Sequence, residues 1–186
     1  HLGNVMAFFN YRADLFLVNF FLVPAAAGVY VIAIQIAERL WILSRSVSTV
    51  LLPRLSELHE EEDVRRRLTP LVARWVGGLS LLAALVLAPV ASWLVDLVFG
   101  ADYLEAAGSL RWLLPGVVVG AVGRVLANDI AARGRPELNM YTSAGVLSVN
   151  VGANVLLIPS LGIDGAAIAT SLSYLLNLFA KLAIYA

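Results

Sequence analysis

Long apolar segments separated by short polar stretches make up almost the whole chain. A helix that crosses a lipid bilayer needs roughly 20 mostly apolar residues. Six segments of about that length occur, at residues 2–23, 29–52, 71–95, 110–132, 138–160 and 165–186. Because backbone groups in lipid must be hydrogen-bonded within their own segment, each is predicted to be an α-helix. The pattern therefore predicts an all-α membrane protein with six transmembrane helices.

Composition supports this interpretation. Of the 186 residues, 60% are hydrophobic and 14% are charged, against about 45–50% and about 25% in a soluble domain. A soluble chain of this size could not bury so much apolar surface. The formal net charge is zero, so nucleic acid is not an expected partner. The chain has no cysteine, and His1 and His59 are far apart, so we expect neither a metal site nor a cofactor.

The sequence carries none of the motifs of an enzyme. A phosphate-binding P-loop, a serine nucleophile elbow and a zinc-binding HExxH are all absent. We therefore predict a protein that is not an enzyme and does not hydrolyse ATP within these residues. The chain starts with His1 and ends inside an apolar run, so we expect it to be part of a longer membrane protein.

The basic residues between the predicted helices give the chain an orientation. Of the five connections, only the second, at 54–69, and the fourth, at 133–137, contain arginine. Short cytoplasmic loops carry an excess of Lys and Arg. The second and fourth loops are therefore predicted to be cytoplasmic.

Charged residues inside the predicted helices are the candidate functional residues. Each costs at least about 2.5–3.5 kcal/mol on insertion scales, so a function is the default expectation. The principal candidates for lining a substrate cavity are Arg12, Asp14, Arg39, Arg45 and Arg124. Secondary candidates are Glu38, Asn128 and Asp129. Arg12 is the candidate nearest to the middle of its predicted helix.

A structural role is the alternative for each of these charges. Asp14 could form an interhelical ion pair with Arg39 or Arg124, and Arg124 could extend to the membrane surface. Arg12 and Asp14 are two residues apart and point in different directions on a helix, so they are not expected to pair with each other.

Milder polar residues suggest how the helices pack. Thr170, Ser173, Asn177 and Lys181 follow at helical spacing on the sixth predicted helix. We interpret them as interhelical hydrogen-bonding groups in preference to the lining of a substrate groove. Gly116 and Gly120 form a GxxxG motif, which predicts close helix contact.

Several short motifs follow one another in a characteristic order. They are NYRAD at 10–14, AGVYVIA at 27–33, AERLW at 37–41, VSTVLLPRLS at 47–56, FGADY at 99–103, GRP at 134–136 and LGIDGAAIAT at 161–170. In this order the chain resembles the polysaccharide and O-antigen repeat-unit flippases of the multidrug/oligosaccharidyl-lipid/polysaccharide (MATE-like) exporter superfamily. The resemblance covers nearly the whole chain and matches the start of the second half of a family protein.

The resemblance implies a fold and a function. It implies that residues 1–186 form one lobe of a two-lobed MATE-like transporter in a bacterial or archaeal plasma membrane, preceded by an N-terminal lobe. The implied substrate is an oligosaccharide on undecaprenyl pyrophosphate, moved by alternating access for surface polysaccharide synthesis. Polysaccharide polymerase and ligase machinery are further implied partners. Arg12 is the first candidate for contact with the pyrophosphate, and Asp14 for pairing across the cavity or coupling to an ion.

Two other functions remain open at this point. The first is an ion-coupled multidrug antiporter of the same superfamily, whose cavity should be acidic or aromatic. The second is a membrane scaffold that transports nothing. A scaffold predicts that all intramembrane charges pair off and leave no wet cavity, whereas the buried arginines favour a flippase.

Overall fold

The part of the chain that the structure describes folds into six α-helices. The computed structural model describes residues 2–57 and 62–185, without the side chains of 2–11, 43, 52, 54–57, 62–63 and 65–66. The helices are α1 (Leu2–Phe21), α2 (Pro24–Arg39), α3 (Trp41–Glu57), α4 (Glu62–Phe99), α5 (Ala106–Ala132) and α6 (Pro136–Tyr185), with a short 3-10 helix, Ala101–Tyr103, between α4 and α5. The prediction of an all-α protein is confirmed.

The segment predicted as the second helix is divided in two. Pro24 begins α2 at a position where its missing N–H costs nothing. The chain then bends by 48° between α2 and α3. Neither proline nor glycine marks the bend in the sequence. Trp41, directly after the bend, is buried. Its indole Nε1 donates a 3.0 Å hydrogen bond to the carbonyl of Val117 on α5, and this contact fixes the start of α3 against α5.

The long helix α6 is a hairpin of two arms, 136–161 and 163–185. Gly162 has φ +61° and ψ −139°, a conformation that glycine adopts at the least cost. Asn150 Nδ2 donates a 3.1 Å hydrogen bond to Ser173 Oγ across the hairpin. In a straight helix these residues would lie about 35 Å apart. Gly162 falls between the fifth and sixth predicted helices.

The polar stretch predicted to connect the second and third helices is partly helical. From Glu62 the chain continues through Pro70 as one helix, α4, to Phe99. The predicted boundary at residue 71 is therefore not a helix start. The helix continues although an interior proline loses one backbone hydrogen bond and crowds the carbonyl four residues before it.

Helix α5 lies at the centre of the bundle, against α2, α3, α4 and α6, and α1 packs on α6. By length and hydropathy, Arg67–Phe99, Ala106–Ala132 and Pro136–Tyr185 could each cross a membrane, and the bent pair α2–α3 would be a fourth span. Along α4, Leu81, Leu82, Leu85 and Val86 are exposed, as expected of a surface that faces lipid. The chain is a multi-pass helical membrane protein.

Candidate functional site

An ion pair between Arg12 and Glu38 links α1 to α2. Arg12 Nη2 lies 3.5 Å from Glu38 Oε2, and the two side chains are 36% and 24% exposed. A well-formed pair between a guanidinium and a carboxylate is shorter, about 2.7–2.9 Å. Among the residues that the structure describes, Arg12 is thus held by one long contact and keeps further N–H donors for a second acceptor.

Asp14 is buried and joins three helices. Its Oδ2 accepts hydrogen bonds from Tyr30 on α2 at 2.8 Å and from Thr170 on α6 at 3.1 Å, and its Oδ1 accepts from the backbone N–H of Leu15 at 2.8 Å. Among the described side chains, neither Arg39 nor Arg124 pairs with it. As predicted from their spacing, Arg12 and Asp14 turn to different partners.

Arg124 lines a cavity inside the bundle. Its Cζ lies 4.9 Å from the centroid of the Trp41 ring, in a cation–π contact. Its Nε is buried and has no hydrogen-bond partner among the described residues. The cavity has a volume of about 110 Å³ and is bordered by α3, α5 and both arms of α6. Its polar and aromatic lining residues are Trp41, Arg124, Ser143, Tyr174, Asn177 and Lys181.

Lys181 lies at the site but is absent from the candidate site residues predicted from the sequence. It lines the same cavity as Arg124 and is only 8% exposed. The signal was present, because Lys181 ends the polar stripe of the sixth predicted helix. The structural interpretation of that stripe is correct for Thr170, which binds Asp14, and for Ser173, which binds Asn150. It does not describe Asn177 and Lys181, which face the cavity.

Asp129 forms a clamp between α4 and α5. Its side chain is fully buried, and it accepts a 3.0 Å hydrogen bond from Thr69 Oγ1 and a 2.6 Å charge-assisted bond from Arg133 Nε. Arg133 in turn stacks over the Tyr185 ring with its Cζ 4.8 Å from the centroid. This geometry gives Asp129 a structural role. Asn128 next to it has a buried amide nitrogen without a partner among the described residues.

Arg39 and Arg45 lie apart from the cavity. Both are exposed, and Arg39 borders an apolar groove of about 380 Å³ between α2 and α4. Among the described residues, no group of three or more acidic or histidine side chains could hold a metal ion. The structure thus brings Arg12 together with Glu38, and Arg124 together with Lys181, and leaves Arg39 and Arg45 outside both groups.

A pair of aromatic rings borders both the acidic and the basic regions. The rings of Trp41 and Tyr174 lie 5.5 Å apart and border the Arg124 cavity. They also border a smaller cavity of about 20 Å³ that Asp14 and Glu38 line. A space lined by two carboxylates and a space lined by two cations therefore share the Trp41–Tyr174 pair as a common border.

Comparisons with known proteins place these features in context. A family model described as lipid II flippase MurJ matches residues 2–185. A probable low-salt glycan biosynthesis flippase of Haloferax volcanii, Agl15, is 22% identical over 94% of this chain. An uncharacterized membrane protein of Methanocaldococcus jannaschii is 30% identical over 69% of it. The chain spans 38% and 26% of the lengths of these two relatives.

Proposed function

Since the chain belongs to the lipid II flippase family MurJ, we propose that the protein containing it moves a lipid-linked oligosaccharide across the membrane by alternating access. Flippases are transporters and not enzymes, which agrees with the lack of enzyme motifs in the sequence. The glycan flippase Agl15 supports a lipid-linked glycan as the substrate class. We propose undecaprenyl pyrophosphate as its carrier and surface polysaccharide as its destination.

We also propose how the helices of this chain are arranged in the membrane. The chain forms one six-helix lobe of a two-lobed, MATE-like transporter, with α1, α2–α3, α4, α5 and the two arms of α6 as its spans. The second and fourth loops face the cytoplasm. The fold-back of α6 at Gly162 supports this count, because it turns one long helix into two antiparallel passes.

The observation that carries the proposal is the loose ion pair of Arg12. The guanidinium is partly exposed and makes one 3.5 Å contact with Glu38. An arginine held by a single long contact retains a fork of donors that fits a phosphate bidentately. A pyrophosphate approaching α1 can therefore bind Arg12 without displacing a tight partner. Glu38 keeps the guanidinium in place while the site is empty.

The test uses the full-length gene in a strain whose surface polysaccharide depends on it. We expect Arg12→Ala to reduce export by at least about tenfold. The reason is that it removes one charge-assisted contact with the substrate, which is worth about 1.5–3 kcal/mol. Arg12→Lys should keep only part of the normal export, because lysine lacks the bidentate fork of the guanidinium. The matched control is Arg74→Gln, which removes an exposed arginine of α4. Normal export by both Arg12 variants would remove Arg12 from the mechanism.

A charge exchange separates substrate contact from simple structural pairing. The double variant Arg12→Glu, Glu38→Arg rebuilds the ion pair with the cation moved from α1 to α2. If the pair only supports the fold, export should return to the level of the unmodified protein. If Arg12 contacts the pyrophosphate, export should stay low although the protein accumulates normally.

A second candidate function is an ion-coupled multidrug antiporter. The buried Asp14 carboxylate favours it, because such a group in a membrane helix is typical of ion-coupling sites. The cations that line the Arg124 cavity argue against it, since an antiporter for cationic drugs needs an acidic cavity. They also argue against a scaffold, which would pair its charges. Ethidium efflux from cells expressing the full-length protein would favour the antiporter, whereas polysaccharide export without efflux would favour the flippase.

A further inference from the structure

The cavity between α3, α5 and α6 holds two cationic side chains without a counter-ion among the described residues. Lys181 is more than nine-tenths buried, lines the cavity, and forms neither a hydrogen bond nor an ion pair with any side chain that the structure describes. Arg124 contributes a buried Nε that is likewise unpartnered there. Its contact with Trp41 occupies the face of the guanidinium and not this N–H.

A buried lysine beside a half-buried arginine is unfavourable without a counter-ion. A buried charge is costly unless it is paired and hydrogen-bonded, and removing its partner leaves an uncompensated charge. The nearest acidic residue along α5, Asp129, is held by Thr69 and Arg133. The cavity therefore presents donors and positive charge to whatever enters it.

The cavity is large enough to hold a small ion. Its volume of about 110 Å³ is several times the ~10–15 Å³ that a single water molecule requires. It therefore has room for one tetrahedral oxyanion. Ser143 and Asn177 add side chains that donate and accept hydrogen bonds, and these suit an oxygen-rich ligand better than a halide.

We propose that this cavity, the Arg124–Lys181 cavity, is a binding site for one small oxyanion of phosphate size. The anion bridges α5 and the second arm of α6 by accepting hydrogen bonds from Arg124 and Lys181. Its phosphate group has two sources, a free inorganic ion or the phosphate end of a lipid-linked substrate. This cavity is a different site from that of Arg12, and anion binding in it does not require the protein to be a flippase.

Thermal unfolding of the purified full-length protein provides the first test. In a gluconate buffer, millimolar inorganic phosphate should raise the unfolding temperature by on the order of 2–4 °C, because a ligand of the folded state stabilises it. The double variant Arg124→Gln, Lys181→Met should lose this response. Lys181→Arg, which keeps the charge, should retain it, as should the exposed control Arg74→Gln. An equal response in the double variant and the unmodified protein would overturn the proposal.

Anomalous diffraction from the unmodified protein provides a second test, which does not require the double variant to fold. Crystals of the unmodified protein soaked in selenate should show anomalous density between Arg124 and Lys181. A cavity without density in a map that resolves both side chains would overturn the proposal. Displacement of the selenate by added undecaprenyl pyrophosphate would identify the substrate as the source of the anion. If the selenate stays in the cavity while the lipid is bound, a free inorganic ion is the source of the anion.

Discussion

The phenol of Tyr30 donates a 2.8 Å hydrogen bond to Oδ2 of Asp14, the same oxygen that accepts from Thr170 at 3.1 Å. Tyr30 is fully buried, and Asp14 is 5% exposed. One carboxylate oxygen thus links α2 and the second arm of α6 to α1. A carboxylate in this position can hold the three helices together only while both hydroxyl groups reach it.

Removing the Tyr30 hydroxyl should weaken this link. Tyr30→Phe keeps the buried ring and leaves Asp14 with one donor fewer. We expect a loss of about 0.6–2 kcal/mol in the free energy of unfolding, the range for hydrogen bonds within membrane and soluble proteins. The measurement is denaturant unfolding of the full-length protein in micelles. Tyr141→Phe, which removes a hydroxyl from an exposed ring, is the control and should cost much less; equal losses would contradict the role of Tyr30.

How much of this link could be predicted from the sequence depends on the residue. Asp14 is a charge in an apolar segment, so its cost in lipid identifies it without any structure. Tyr30 lies in an ordinary apolar run, and nothing in its neighbours distinguishes it from an aromatic residue that faces lipid. Only the packing of α2 against α1 shows its role. The same holds for Trp41, whose hydrogen bond to Val117 accompanies a bend that no proline or glycine marks.

Close contact between α5 and α6 depends on Gly116. A Cβ at this position would lie 2.6 Å from the Cα of Ser171, a backbone atom that cannot move aside alone. Gly116→Ala should therefore destabilise the protein by about 1–3 kcal/mol, the usual cost of overpacking. The sequence motif that contains Gly116 and Gly120 predicts this contact correctly. Gly120 faces the ring of Trp41.

Gly152→Ala is the matched control for that substitution. Gly152 also lies within a helix, but a Cβ there would meet nothing within 4 Å. Alanine has the higher helix propensity by up to about 1 kcal/mol, so this variant should be neutral or slightly more stable. Thermal unfolding of both variants measures the difference. A Gly116→Ala protein as stable as Gly152→Ala would show that the two helices are free to separate at this point.

The Asp129 clamp should contribute more to stability than an exposed acid. Asp129→Asn preserves the shape of the side chain and its ability to accept from Thr69, but it removes the negative charge that faces Arg133. We expect a loss of about 1.5–3 kcal/mol, the value for a hydrogen bond to a charged group. Asp102→Asn, at an exposed site between α4 and α5, should change the unfolding free energy by less than about 0.5 kcal/mol. Similar effects of the two variants would mean that the clamp does not hold α4 to α5.

The sequence locates charges in the membrane but not their partners. Arg124 and Asp129 lie on one helix five residues apart, and the sequence makes both of them candidate site residues, Arg124 a principal and Asp129 a secondary one. The structure separates them, because Thr69 and Arg133 satisfy Asp129 while Arg124 faces a cavity with Lys181. Such a division depends on how neighbouring helices rotate about their axes. Periodicity along one helix does not determine that rotation.

The proposed orientation can be tested at two exposed turns. The chain contains no cysteine, so a single introduced thiol in an otherwise cysteine-free full-length protein reports its own position. The substitution Asp102→Cys places a thiol in the turn between α4 and α5, and Arg135→Cys places one in the turn between α5 and α6. Both positions are exposed. Because arginines favour the cytoplasmic side, a membrane-impermeant maleimide added to intact cells should label the protein with Asp102→Cys and spare the one with Arg135→Cys. After permeabilisation both should react, which controls for the accessibility of each thiol. Labelling at position 135 in intact cells, with position 102 protected, would show that the chain has the opposite orientation to the one proposed.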